Sequence, residues 1–343
     1  MEHDVVDEAT RGLWRIAGSA AGQLFSTVAK QIGYTAGSSS RWRTNTEQRD
    51  PYYWKREYDA YRNGAFGRPG SGVRSATLYA STDRSDGALL FLEDVQGVDG
   101  WSWSRADYID VARKLARYQA AAETRTAARA ASTEERFNGL LIEYLRRREF
   151  FFDGAWRSED CSGFPEVDRL RAFAPAVNRL WDDREQLYRT FGEIPATRCH
   201  FDFWGPNVFV SADPLEDVVA IDLAHAGVGN LGHDVANLIV DDAVDLLIPT
   251  GDIERVWSDA VAAYIEEVLL AIPMDDGRLG RAIELSGALK YAWLFPAMFE
   301  LVLDDGKLEA LEAKRGDVAT FLRGRCAALE FVGGLIEGAG SHL

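Results

Sequence analysis

The sequence predicts an α+β protein of two lobes: a small N-terminal antiparallel β-sheet lobe with one helix over residues 1–96, and a larger, mainly helical C-terminal lobe over 97–343. Up to Val95 the chain reads as short strand-like runs broken by small and polar residues, whereas from Ser104 onward apolar positions recur at spacings of three and four. At 343 residues and 47% hydrophobic content it is long enough to bury the cores of both lobes. The third observation is the stretch from Cys199 to Asp242, where a polar loop, an apolar strand and a Gly-rich turn follow one another.

In the first lobe, Leu13–Ile16 predicts a strand, Gly18–Gly22 a turn and Leu24–Ile32 a second strand with Lys30 near its end. Small residues between two strands could bring backbone amides close to phosphates, but GxGxxG and GxxxxGK[ST] are both missing, and a plain hairpin turn is the better reading. After a polar loop at 37–50, Tyr52–Tyr61 has helical spacing, with Trp54, Tyr58 and Tyr61 on one face and Glu57 beside it. A lysine that serves as a fixed charge needs a carboxylate to orient it, and Lys30 with Glu57 fits that order; alone, the two also read as a surface lysine and a solvated helix acid. Val73–Ser81 and Gly87–Val95 predict two more strands, and the backbone around Glu93 to Val95, just before the lobe boundary near Gln96-Gly97, is placed to hold an adenine edge.

The second lobe begins with a helix over Ser104–Ala122, capped by Ser104 ahead of Asp107, and a second over Ser132–Arg147. Glu149–Phe164 reads as a loop or insertion, and Val167–Phe191 as one long helix. Beyond the 199–242 stretch come three helices, about Ile253–Ile272, Leu279–Leu303 (kinked at Pro296) and Leu308–Ile336, which together span 251–338. Tyr291, Trp293, Phe295, Phe299 and Glu300 form an aromatic and acidic cluster that reads as core packing or as one wall of a pocket for an aminated sugar, and Asp241 is a further acidic candidate for that pocket.

Charge narrows the range of partners. Residues 201–343 hold 9 Lys and Arg against 25 Asp and Glu, so the whole net charge of −16 resides there. Such a surface repels nucleic acid and anionic lipid; it could attract a cationic small molecule, or simply keep the protein soluble. Cys161, Cys199 and Cys326 show neither CxxC nor Cys/His pairing, which predicts no zinc site, no disulfide framework and a reducing, cytoplasmic setting. The first ten residues lack the pattern of a secretory signal, and no apolar run reaches the roughly 18 residues that a membrane span requires.

The central stretch carries the chemistry. An apolar strand Val218–Ile221 delivers Asp222 at its end, after a loop holding Asp202 and Asn207, and hard cations take oxygen ligands of this kind on rigid elements. The run Cys199-His200-Phe201-Asp202-Phe203-Trp204-Gly205-Pro206-Asn207-Val208, then Ile221-Asp222, Gly227-Val228-Gly229 and Asp234-Val235-Ala236-Asn237, resembles the aminoglycoside phosphotransferase and choline kinase group, small-molecule kinases with a protein-kinase-like fold. Trp204 and Leu223-Ala224-His225 depart from that group's usual pattern without removing a charged functional group.

The resemblance implies Asp202 as the catalytic aspartate that orients the acceptor hydroxyl and takes its proton, with Asn207 and Asp222 as ligands of Mg2+. It also implies Lys30, steadied by Glu57, on the phosphates of ATP or GTP, the Glu93–Val95 backbone at the base, and His200 and Asp234 as supports of the loop. Phosphoryl transfer depends mainly on alignment and charge neutralisation, which is what such a set supplies. The acceptor it implies is a hydroxyl of a sugar-containing antibiotic or an amino sugar, with Asp241, Trp293 and Glu300 as candidate contacts. The other readings are a metabolic choline or sugar kinase and a non-catalytic nucleotide-binding module; a protein kinase is disfavoured because the chain between Asp222 and Asp234 leaves no room for a peptide-docking segment.

Overall fold

A computed structural model describes residues 9–36, 44–128, 161, 163–213 and 215–340. The expected helix at 132–147 and most of the expected loop at 149–164 lie outside these residues. The chain starts with a hairpin of β1 (Thr10–Ala20) and β2 (Gln23–Gly33). The predicted turn at 18–22 shrinks to Ala21 and Gly22, both at positive φ (50° and 80°), while Gly18, Ser19 and Ala20 pair with Phe25, Leu24 and Gln23. A two-residue turn of this hand matches strand twist, so the small residues before it are free to extend the ladder.

Helix α1 (Arg56–Asn63) buries Tyr58 and Tyr61 and ends at Gly64 in the left-handed conformation. The predicted strand 73–81 divides into β3 (Val73–Ser75) and β4 (Leu78–Asp83), which join different sheets. With β5 (Gly87–Glu93), the first sheet has the order β1-β2-β5-β4 and every pairing is antiparallel. A second sheet, β3-β9-β8-β6, is built from β6 (Val98–Asp99), β8 (Val208–Val210) and β9 (Val218–Ala220), with β3 parallel to β9. Its strands are short; β8 and β9 are apolar, and β9 is wholly buried. Chain from before the expected lobe boundary thus supports the strand that leads to Asp222.

The rest is mainly helical: α2 (Arg105–Ala120), α3 (Ala122–Ala128), α4 (Pro165–Arg169), α5 (Ala174–Asp182), α6 (Arg184–Gly192), then the β7 (Ala196–Cys199) and β10 (Gly227–Asn230) pair, α7 (His233–Val244), α8 (Ile253–Ala271), α9 (Asp276–Tyr291), α10 (Leu294–Val302), α11 (Asp305–Arg315) and α12 (Val318–Gly340). The N–H and Oγ–H of Ser104 both donate to Asp107, which fixes the start of α2. Three expected long helices are divided. Residues 167–191 break around a 3-10 turn at Leu170–Phe173, just before Pro175, which has no N–H to carry the ladder on. Pro296 falls in the first turn of α10, where a missing N–H costs little, so the chain separates at Ala292-Trp293 instead of kinking. Gly316, at φ 75°, separates α11 from α12.

The core is one continuous cluster running from Ile32 and Leu90 under the first sheet, through Phe66 and Tyr118, to Phe295, Leu329 and Ile336 in the helical part. Among the described residues no helix is long and apolar enough to cross a membrane.

Candidate active site

Asp202 follows Phe201, which sits at φ 64°; Asp222 follows β9 at φ 58°. A left-handed conformation costs a non-glycine residue on the order of 1–2 kcal/mol. Surrounding hydrogen bonds hold both residues there. The Ile221 N–H donates to the Asn207 carbonyl at 2.9 Å, in register with the β8–β9 ladder, so the loop of Asp202 and the strand of Asp222 are joined at their functional ends. His200 strengthens the join. Its ring Nε2 meets the Ile221 carbonyl at 2.8 Å, and its Nδ1 accepts the Asp202 N–H at 3.3 Å, which requires the neutral imidazole protonated on Nε2. Burial lowers the His200 pKa and favours that neutral form.

Helix α7 supplies acceptors for the amides of the loop. Asp234 receives the N–H groups of His200 and Phe201, each at 2.9 Å, and Asn237 Oδ1 that of Phe203 at 3.0 Å. Asp242 receives that of Gly205 at 2.9 Å. Behind Asp234, the fully buried Gln119 of α2 donates to its carboxylate at 2.9 Å and accepts from Tyr264 of α8 at 2.6 Å. Gly205 has to be glycine: a Cβ there would lie 2.7 Å from Gly100 Cα and 2.8 Å from Asp242 Oδ2.

Asn207 donates from Nδ2 to Asp202 Oδ2 at 2.8 Å and to the Asp202 carbonyl at 3.0 Å, leaving its Oδ1 as the side chain's acceptor. Burial pushes the Asp202 carboxyl up to about 6, with the Asp222 charge adding to the rise and Lys290, Asn207 and Lys30 opposing it. Lys30, nearly buried on β2, reaches Glu57 of α1 at 2.7 Å and Asp222 Oδ1 at 2.9 Å. Burial works against its charge, but the two carboxylates outweigh burial and raise its pKa. Burial would raise Asp222; the Lys30 charge and hydrogen bond reverse that and hold it at about 2. The site therefore carries an ionised Asp222 beside an ammonium that stays charged.

The structure thus brings Lys30, Glu57, Asp202, Asn207, Asp222, His200 and Asp234 into one connected network. Glu93 has partners of its own. Its N–H is taken by the Thr77 carbonyl at 2.8 Å, and its carboxylate forms a two-pronged pair with Arg74 at 2.6 and 2.8 Å, so it pins the end of β5. Val95 packs against the core. Among the acceptor candidates, Asp241 lies at the loop, whereas Glu300 pairs with Lys307 of α11 at 3.4 Å and Trp293 packs against the core.

Sequence reasoning missed four residues, Lys290, Gln119, Asp242 and Tyr108. Lys290, in the last turn of α9, donates to the Phe201 carbonyl at 2.8 Å. A lone lysine in the apolar run Gly287-Ala288-Leu289-Lys290-Tyr291-Ala292-Trp293 was the available signal. Tyr108 donates to Asp242 at 2.8 Å, and nothing in their spacing of 134 positions announces that pairing.

Asn207 Oδ1 and the Asp222 carboxylate make a hard-oxygen pair that fits Mg2+, which takes one or two protein oxygens and completes its shell with phosphates and water. Among the described residues no group of three or more His, Cys, Asp or Glu side chains is placed to hold a metal ion.

Comparison with known proteins gives three findings. Residues 56–264 match the family described as the phosphotransferase enzyme family (APH). No curated protein matches the sequence. Solved structures with similar folds include the Plasmodium vivax ethanolamine kinase, at 12% identity over 93% of this chain and 81% of that one, TM-score 0.48. They also include a microcompartment-associated aminopropanol kinase, at 13% over 96% and 95%, TM-score 0.49. An aminoglycoside phosphotransferase from Streptomyces rimosus is similar at 17% over 80% and 92%, TM-score 0.39.

Proposed function

Because the chain belongs to the phosphotransferase enzyme family, and so transfers phosphoryl groups to hydroxyl acceptors, we propose that it is a kinase acting on a hydroxyl of a sugar-containing antibiotic or an amino sugar, with ATP or GTP as donor. One observation carries the assignment of roles: Asp202, clamped by Asn207 at 2.8 Å, stands beside an Asp222 that is paired with Lys30 at 2.9 Å. In this reading Asp202 orients the acceptor hydroxyl and takes its proton, which suits a carboxylate whose pKa is raised toward neutrality. The Lys30 ammonium, steadied by Glu57, meets the phosphates. Asn207 Oδ1 and Asp222 hold Mg2+, which when bound neutralises charge on the phosphates. Asp234 and His200 keep the loop in place. The two lobes meet near Gln96-Gly97, with the β3 segment reaching across.

The test is nucleotide consumption by the purified protein with Mg2+ and ATP or GTP, against aminoglycosides, nucleoside antibiotics, amino sugars, simple sugars and choline. Consumption that depends on an aminated or sugar-containing acceptor is the expected result, and its absence across the panel removes the proposal. Expression in a sensitive host then separates a resistance enzyme, which raises the tolerated antibiotic concentration, from a metabolic kinase, which does not.

A further inference from the structure

Two ion pairs flank Asp202, and the roles above use only one of them. Lys30 and Asp222 form the first. The second joins Lys290 Nζ to Asp241 Oδ2 at 3.3 Å, and the same ammonium lies 2.8 Å from the carbonyl of Phe201, the residue just before Asp202. The Lys290 side chain is 8% exposed and that of Asp241 22%, so the carboxylate is the more open member. Asn237 fixes Asp241 further: its Nδ2 donates to the Asp241 carboxylate and lies 2.9 Å from the Tyr291 hydroxyl, while its Oδ1 receives the Phe203 N–H. Asp241, partly exposed beside the Asp202 loop, is therefore already neutralised and locked by its neighbours.

This arrangement bears on the acceptor. A 1,2-amino alcohol carries its ammonium two carbons from the hydroxyl, so seating that hydroxyl on Asp202 brings the cation toward the neighbouring loop and helix. A cation is held there by a carboxylate with charge to spare or by aromatic faces. Among the described residues, the carboxylate tied to the Asp202 loop on this side is Asp241, whose charge Lys290 already answers, and Lys290 itself repels a second ammonium. A neutral hydroxyl has no such conflict, because a carboxylate offers about four lone-pair directions and can accept from it as well.

Resting on the phosphotransfer reading above, we infer that the acceptor presents an uncharged diol-like neighbourhood to Asp202, as on a sugar ring, with any amino groups farther away. The Lys290–Asp241 pair is then the specificity determinant that excludes 1,2-amino alcohols such as choline and ethanolamine.

The test measures kcat/KM with MgATP and MgGTP for choline, ethanolamine, glycerol, D-ribose, uridine and kanamycin, and locates the new phosphate by NMR. Lys290→Met and Lys290→Arg are measured beside the parent, with circular dichroism to establish that both fold. Transfer to a hydroxyl whose neighbouring carbons bear no amine is expected. Lys290→Met should then raise choline or ethanolamine relative to that acceptor by about tenfold or more, while Lys290→Arg, which keeps the charge, leaves the ratio near the parent's. A parent that prefers choline or ethanolamine, a phosphate placed next to an amine-bearing carbon, or a ratio that Lys290→Met does not move overturns the inference and leaves phosphotransfer standing. No transfer to any of the six compounds removes both. If Lys290→Met does not fold, the parent's preference and the phosphate position decide alone.

Discussion

At Asp202 the same few atoms provide geometry and charge. Asn207 holds one carboxylate oxygen at 2.8 Å, and the loop beneath is kept at a positive φ by backbone bonds to Asp234. Asp202→Asn keeps the shape and removes the proposed base, so transfer should fall by about 10² to 10⁴-fold. Nucleotide affinity, read by calorimetry, should stay within a few-fold, and retained turnover would mean that another group takes the proton. Lys30 answers two carboxylates at once. Lys30→Met leaves both without their cation in a buried setting, which should cost about 3–5 kcal/mol in denaturant unfolding. Adding Glu57→Gln to Lys30→Met should recover part of that loss, since one of the stranded charges goes with it. Strict additivity of the two changes would show that Lys30 and Glu57 are not coupled.

One helix sets the loop. Along α7, Asp234, Asn237 and Asp242 stand at helical spacing and take the N–H groups of His200, Phe201, Phe203 and Gly205 in turn, so the helix acts as a template for the backbone around Asp202. Asp234→Asn keeps the volume but turns one acceptor into a donor facing an N–H. It should destabilise the protein by about 1–3 kcal/mol and lower kcat more than it raises the KM for nucleotide, because the loop moves while Lys30 and Asp222 stay. Gly205→Ala should also lower stability, by roughly 1–3 kcal/mol, since its new methyl meets the backbone of Gly100. A thermal melt unchanged from the parent would rule out that close approach.

Across the whole molecule, buried acids tie folding to pH. Burial pushes Asp242 up to about 8, above its value in the unfolded chain, although the Gly205 N–H and Tyr108 hydroxyl oppose the rise. The native state therefore holds a proton there that the unfolded state releases earlier. The resulting stability is fully present below the unfolded carboxylate range, near pH 4, and is lost as pH rises toward about 8. Asp242→Asn should flatten that part of the stability curve, as read from denaturant midpoints at pH 5 to 8. A slope identical to the parent's would place the pH dependence elsewhere. Glu93 works in the opposite sense: Arg74, with help from Thr77, holds it at about 2, so its contribution is present above pH 4–5 and fades as pH falls toward 2.

Much of this was legible in the residues. The change from strand-like runs to helical spacing near residue 100 and the capped start of α2 follow from local pattern, because periodicity and capping are set by neighbours a few positions apart, while the order Lys30, Glu57, Asp202, Asn207, Asp222 was legible through the resemblance of the 199–242 motif to a known family. What depends on packing was not. Whether 73–81 is one strand or two turns on β9, some 140 residues away, which binds only its first half. The acids that hold the catalytic loop, and the Lys290–Asp241 pair beside it, are brought together from α7, α9 and the loop, and hydrogen bonds between residues 33 to 89 positions apart leave no period to read. By itself the sequence determined the charged groups proposed for the reaction and their order along the chain; only the tertiary structure decided which of them neutralise one another, because charge compensation depends on distance in space.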